Sequence, residues 1–189
     1  MKKEIFIEIS ARHIHLCRKD VYRLFGKGYE IKRYKELSQP SDYAAKEVVS
    51  ITIDNKKKLK FRVVGPLRDD TQIEMSVTDI ISLGGRIPEG IFGNTFKFPE
   101  VTIIGPKGKV RIKNVRVFSQ RHIHCSPEEA KSLGLKNKDI VSVKVDGEKS
   151  VIFNNVLIKV HPNFRLAMHL DTDEGNGAGI SRKAYGYLV

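Results

Sequence analysis

Short runs in which apolar and polar residues alternate, or β-branched residues cluster, recur along this chain and are separated by Gly, Pro, Asn and Asp. The amino terminus alternates from Met1 to Ile9, and further runs cover Glu47 to Ile53, Leu59 to Val64, Val101 to Ile104, Lys109 to Val117, Ile140 to Val145, Ser150 to Ile158 and Phe164 to Leu170. Runs of this length and spacing predict strands of a barrel or sandwich. Two stretches predict short helices instead. Ser126-Pro127-Glu128-Glu129 supplies an N-cap serine, a proline suited to the first turn and two acids at the positive helix end, with Gly134 as the stop. Arg18 through Leu24, ending at Gly26, is the matching segment. Between Ile80 and Gly90, Gly84, Gly85 and Pro88 predict a connecting loop.

Each predicted helix directly follows the same short motif. Ser10-Ala11-Arg12-His13-Ile14-His15 and Ser119-Gln120-Arg121-His122-Ile123-His124 together hold four of the six histidines. The order of strand, His-x-His, helix and further strands therefore occurs twice. The expected fold is mainly β: two small pseudo-equivalent β-barrels capped by short α-helices, produced by internal duplication.

In an extended segment residues i and i+2 share a face, so each histidine pair converges on one point. A single His-x-His is more often a hydrogen-bonded pair than a metal site, but repetition shifts that balance. A further apolar run after each pair carries another donor, Glu74 in the first half and His169 in the second, and both runs continue to a Thr-Asp, at Thr78-Asp79 and Thr172-Asp173. Neutral imidazoles with one carboxylate form a donor set that suits zinc. Six ligands are too many for one tetrahedral ion and suit two, each with a position open to substrate or water. Gly65-Pro66-Leu67-Arg68 turns the chain into the run that carries Glu74, which places Arg68 beside the first donor set as a fork for phosphate or carboxylate. Asp171 to Asn176, just after His169, is expected to supply carboxylates that orient the imidazoles.

Charge and composition narrow the partners. The 189 residues carry a formal net charge of +12, so the partner is expected to be anionic. Lys and Arg are scattered, and no aromatic stacking motif or zinc-finger spacing accompanies them, so nucleic acid is not expected and a phosphate-rich small molecule explains the charge equally well. Lys56 to Lys60 after Asp54-Asn55 read as a solvated hairpin turn. No run approaches the ~18 apolar residues of a membrane span, and the amino terminus lacks a signal-peptide core. Cys17 and Cys125 sit at different offsets from the histidines, so small buried side chains describe them better than ligands or nucleophiles. No single feature motivates a homo-oligomer, which stays an open expectation.

Arg12-His13-Ile14-His15, Gly65-Pro66-Leu67-Arg68 with Thr71-Gln72-Ile73-Glu74, Arg121-His122-Ile123-His124 and His169-Leu170-Asp171-Thr172-Asp173-Glu174 together resemble the phosphotransacylases of the PduL type, the phosphate propanoyltransferases. The resemblance spans nearly the whole chain. It implies two β-barrels with two zinc ions at their junction, and reversible transfer of a short acyl group, propanoyl or acetyl, between coenzyme A and inorganic phosphate. Acyl-CoA, phosphate and acyl phosphate would be the substrates. It also implies that the strand before each His-x-His is exchanged, so that residues 12–119 form one barrel and residues 1–11 with 120–189 the other. Carried over by position, His13 and His15 hold one zinc, His122, His124, His169 and Glu74 surround the other, and Arg68 binds phosphate. Direct attack of phosphate on the thioester is the expected mechanism, with a metal-dependent thioester or phosphoester hydrolase as the alternative. The sequence opens on its first strand without the amphipathic extension that packages some relatives into microcompartments, so a free cytoplasmic enzyme is expected. Gly175 and Gly177 replace an alanine common in the family, which predicts a looser local backbone and no lost ligand.

Overall fold

Ile5 and Ile7 are fully buried while Phe6 and Glu8, which alternate with them, are partly exposed, so the first segment does make a strand with one face in a core. In the computed structural model, which describes residues 4–53, 55, 57–86, 96–118, 120–180 and 184–189, the chain divides into two compact units. One comprises Ala11–Ser119; the other joins Met1–Ser10 to Gln120–Val189.

The second of these units is a closed barrel of β1 (Ile5–Ile9), β9 (His122–Cys125), β10 (Ile140–Val145), β11 (Val151–Val160), β12 (Ala167–Leu170) and β13 (Ala184–Leu188) in the order β1-β12-β9-β11-β10-β13. The unit Ala11–Ser119 contains β2 (His13–His15), β3 (Arg33–Glu36), β4 (Tyr43–Ile53), β5 (Lys57–Gly65), β6 (Gln72–Glu74), β7 (Phe96–Ile104) and β8 (Lys109–Phe118). Its sheet runs β3-β4-β5-β2-β6-β8-β7, and a further β4 to β7 pairing curls it back on itself. With β3 set aside, the ring β8-β6-β2-β5-β4-β7 matches β1-β12-β9-β11-β10-β13 position for position. The strand directions match too, with β8 and β1 parallel to β6 and β12, and β2 and β9 parallel to β5 and β11. The duplicated order in the sequence is thus a duplicated topology.

Each ring closes on its own apolar core. Phe61, Ile51, Ile103, Ile14 and Ile73 fill that of the residue 11–119 unit; Ile5, Ile7, Ile123, Ile158 and Met168 fill the other. The helices follow their sequence signals. Helix α3 (Pro127–Leu133) starts at Ser126, which exchanges side-chain and backbone hydrogen bonds with Glu129, and ends at the left-handed Gly134. Helix α1 (Arg18–Phe25) ends at Gly26.

Two further helices were not expected. Val77–Ser82 forms α2, so Ile80 to Ser82 are helical and not part of a loop; residues 87–90 of that stretch lie outside the described residues. Thr172–Gly177 forms α4. Both open with reciprocal capping boxes, Ser76 with Asp79 and Asp171 with Glu174, whose hydrogen bonds outweigh the weak helix propensity of such short polar stretches. Aligned by their caps, the two runs place Ser76 opposite Asp171, one residue out of step with the repeated Thr-Asp. Gly175 is also a correction. Its backbone packs so tightly on Ile9 that an added Cβ would stand 2.5 Å from Ile9 Cδ1, so the glycine serves close approach and not looseness. Among the described residues no helix is long and apolar enough to cross a membrane.

Candidate metal centres

In the unit Ala11–Ser119, β2 and β6 run antiparallel with His13 opposite Glu74 and Ile14 opposite Ile73. Because Ile14 and Ile73 are fully buried in the core, the pleat turns His13, His15 and Glu74 to the other face. Glu74 Oε2 lies 3.4 Å from His13 Nε2, and Oε1 lies 4.0 Å from His15 Nε2. The Nδ1 atoms are already committed: that of His13 stands 2.9 Å from the Ala11 carbonyl and that of His15 3.0 Å from the Val64 carbonyl. A carbonyl only accepts, so each Nδ1–H donates and each Nε2 faces the Glu74 carboxylate. Burial, then the neighbouring His13 and Arg68, lowers the pKa of His15 to about 3 despite the Val64 hydrogen bond, so its ring is neutral.

Arg68 belongs to the same neighbourhood. Its backbone N–H donates to the Leu16 carbonyl at 3.0 Å, which ties the turn after β5 to the segment just past His15. Its guanidinium is half-exposed, and Nη2 stands 3.8 Å from Asp42 Oδ1. Burial raises the pKa of Asp42, with Arg68 acting against that shift. Asp42 was missed in the sequence, where Pro40-Ser41-Asp42 looks like any surface turn.

The other unit repeats this register with different donors. His122 on β9 faces His169 on β12, while Ile123 and Met168 point into the core. Ring centroids are 4.6 Å apart for His122 and His124, 5.2 Å for His122 and His169, and 4.8 Å for His124 and His169. His122 Nδ1–H donates to the Gln120 carbonyl at 2.9 Å, the counterpart of His13 with Ala11. Burial, reinforced by Lys159 and His169, holds the His122 pKa well below its usual value. Phe164 stacks on His124 with centroids 3.9 Å apart, which accounts for its place in a turn before β12 and not in the strand. Glu8, in register with His169 across β1 and β12, brings Oε2 within 3.8 Å of His169 Nδ1. At that distance it is an ionic neighbour of the ring and not a hydrogen-bond partner. Asp171 and Glu174 serve the α4 cap, and Glu174 pairs with Arg121 at 2.8 Å. Both cysteines are thiols; Cys125 is buried and Cys17 partly so.

Each half thus gathers its own His-x-His with its own third donor. Within its own unit Glu74 stands beside His13 and His15. The physical reason is pairing: β6 is hydrogen-bonded to β2 in one sheet, as β12 is to β9 in the other.

The model of the phosphate propanoyltransferase family matches residues 6–181. The chain belongs to this family. Three relatives named phosphate propanoyltransferase align along all of it: one from Thermotoga maritima, 43% identical over 192 residues and covered to 91%; one from Clostridioides difficile, 40% over 191 and also covered to 91%; and one from Salmonella typhimurium, 40% over 190 and covered to 90%. Membership makes the chain an acyltransferase.

The zinc ions that the family resemblance implies can be tested against the donors. Two atoms bound tetrahedrally to one zinc at ~2.0–2.1 Å stand roughly 3.3 Å apart. The donor atoms of His13, His15 and Glu74 all lie within 4.8 Å of one another, the one such group among the described residues, and fit a single ion after small side-chain rotations. His122, His124 and His169 form a more open all-imidazole set of the right chemistry.

Proposed function

We propose that this family member transfers a propanoyl or acetyl group reversibly between coenzyme A and inorganic phosphate, with two zinc ions held by the two donor sets, one by His13, His15 and Glu74 and one by His122, His124 and His169. The observation that carries the reading is the doubled register, in which His13 faces Glu74 and His122 faces His169 on equivalent strands. Burial keeps His15 and His122 neutral, so both are ready to ligate without first losing a proton.

Arg68 holds phosphate through its guanidinium fork, and Asp42 limits where that fork can swing. Alignment of a phosphate oxygen with the thioester carbonyl carbon supplies most of the rate advantage. A carbon–oxygen bond then forms as the carbon–sulfur bond breaks, leaving acyl phosphate and coenzyme A thiolate. When bound, zinc supplies Lewis acidity that stabilises the charge developing on the carbonyl oxygen or the departing sulfur. No acyl-enzyme is needed, and Cys125, fully buried in β9, is out of reach for one.

The test is coenzyme A release from propanoyl-CoA and acetyl-CoA, with and without inorganic phosphate, on zinc-replete and chelated protein. Release that requires both phosphate and metal is the expected result. Release without phosphate identifies a thioesterase and overturns the proposal; release that chelation leaves untouched overturns the metal assignment.

A further inference from the structure

The arginine that precedes each histidine pair reaches the far end of its neighbour strand, and does so in both units. Arg12 Nη1 contacts Asp79 Oδ1 at 2.5 Å, and Arg12 Nε donates to the Lys60 carbonyl at 3.2 Å. Asp79 is the acid of the α2 capping box, and its other oxygen accepts from the Ser76 N–H at 3.4 Å. In the other unit Arg121 Nε contacts Glu174 Oε1 at 2.8 Å, and Glu174 Oε2 accepts from the Asp171 N–H at 3.0 Å. Ser76 and Asp171 each lie two residues past the third donor of their set, Glu74 and His169. Each bridge therefore runs from the residue beside the first histidine, through a carboxylate with both oxygens engaged, to the chain just beyond the third donor.

We propose that Arg12 and Arg121 are positioning residues, each clamping its His-x-His strand in register against the strand that carries the third donor. The need for a clamp follows from strand length. β2 and β6 have three residues each, and β9 and β12 four, so few ladder bonds resist a slip. A slip of one residue turns every side chain to the opposite face, which would drive His13 or His122 into the core and break the donor set. Asp79 is only 8% exposed and Glu174 17%, so each carboxylate is shielded enough for its arginine to matter. A repeat of the same bridge with Asp in one unit and Glu in the other points to the bridge itself as what both halves keep.

The inference rests on the ligand assignment above, and the experiment separates the two. Arg12→Met and Arg121→Met are compared with the Lys variants at both positions, above pH 7 so that Glu174 is ionised. Zinc affinity is titrated in two backgrounds, His124→Ala to report the first donor set and His15→Ala to report the second. Amide exchange in β2 and β9 is followed in metal-free protein. Arg12→Met is expected to weaken zinc at the first set about tenfold or more and leave the second unchanged, Arg121→Met the reverse, with partial rescue by Lys. Exchange should quicken in β2 alone or β9 alone. Unchanged affinity and exchange, or equal loss in both units from either variant, overturns the clamp. Wild-type protein that binds no zinc overturns the ligand assignment alone, because the exchange pattern still decides the clamp.

Discussion

His13 and Glu74 face one another across β2 and β6 with 3.4 Å between Nε2 and Oε2, and in the other unit the equivalent positions are His122 and His169. Equivalent strand positions thus carry imidazole with carboxylate in one barrel and imidazole with imidazole in the other. The two sets differ in charge: a zinc held by two neutral rings and one carboxylate keeps a net charge of about +1, and one held by three neutral rings about +2. With zinc bound as proposed, the ion at the three imidazoles would be the stronger Lewis acid.

The grouping can be checked by counting metal. Glu74→Ala and His124→Ala should each lower bound zinc by about one equivalent, and the double variant should lose both ions. His15→Ala with Glu74→Ala should lose only one, because both serve the same ion. Elemental analysis of the purified variants decides it. Loss of a single equivalent from the Glu74→Ala, His124→Ala pair would return Glu74 to the set of the later histidines.

Phosphate dependence should separate Arg68 from Asp42. Charge-assisted hydrogen bonds are worth about 1.5–3 kcal/mol, so Arg68→Ala should raise the phosphate KM about ten- to a hundredfold with little change for acyl-CoA. The Arg68 to Asp42 contact is long at 3.8 Å and the guanidinium is 42% exposed. Such pairs are worth about 1 kcal/mol or less. Asp42→Asn, by relaxing a competing anion, should lower the phosphate KM by no more than about fivefold. Steady-state kinetics with phosphate varied measures both, and a raised KM in Asp42→Asn would show that Asp42 orients Arg68 more than it competes.

The repeat was legible in the sequence because His-x-His has a period of two that only an extended segment can turn to one side. The helix after each pair was legible through Gly26 and through Ser126, Pro127 and Gly134. α2 and α4 were not, since a six-residue helix shows too few apolar positions for a 3.6-residue period, and their capping boxes lie in stretches rich in turn residues. The duplication by itself offers each His-x-His a later third donor, and pairing of β6 with β2 brings Glu74 beside His13 and His15. Glu8 and Asp42 escaped notice for a different reason. Each reaches its site through pairing or folding over a long sequence separation, and neither belongs to a local motif.

Gly65 closes β5 just before the turn that bears Arg68, and a Cβ there would run into the Tyr43 ring. Tyr43 is buried in the core of its unit and pairs with Gly65 across β4 and β5, so the ring has little room to yield. Gly65→Ala should destabilise that unit by ~1–3 kcal/mol through overpacking. Denaturant unfolding checks the size. The cost of Gly65→Ala should shrink in a Tyr43→Leu background, which removes the ring atoms that a Cβ would meet; an unchanged cost would place the strain elsewhere.

Glu174 gives a pH dependence whose sign can be worked out. Burial raises its pKa from 4.5 to about 7, with Asp171 adding to the shift and Arg121 and the backbone hydrogen bond opposing it. Between those values the folded chain holds a proton that the unfolded chain has released, so folding stability falls as pH rises across the window. The contribution is full below about 4.5 and gone above about 7. Buried His15 and His122 act in the opposite direction, because the unfolded chain binds protons below 6.5 that their folded forms refuse. Glu174→Gln keeps an oxygen for the Asp171 N–H and removes the titration, so subtracting the stability curves of variant and wild type cancels the histidines. The difference should move in favour of the variant from about pH 4.5 to 7 and stay flat on either side. A difference flat throughout would mean that Arg121 at 2.8 Å overcomes burial and keeps Glu174 ionised down to its ordinary value.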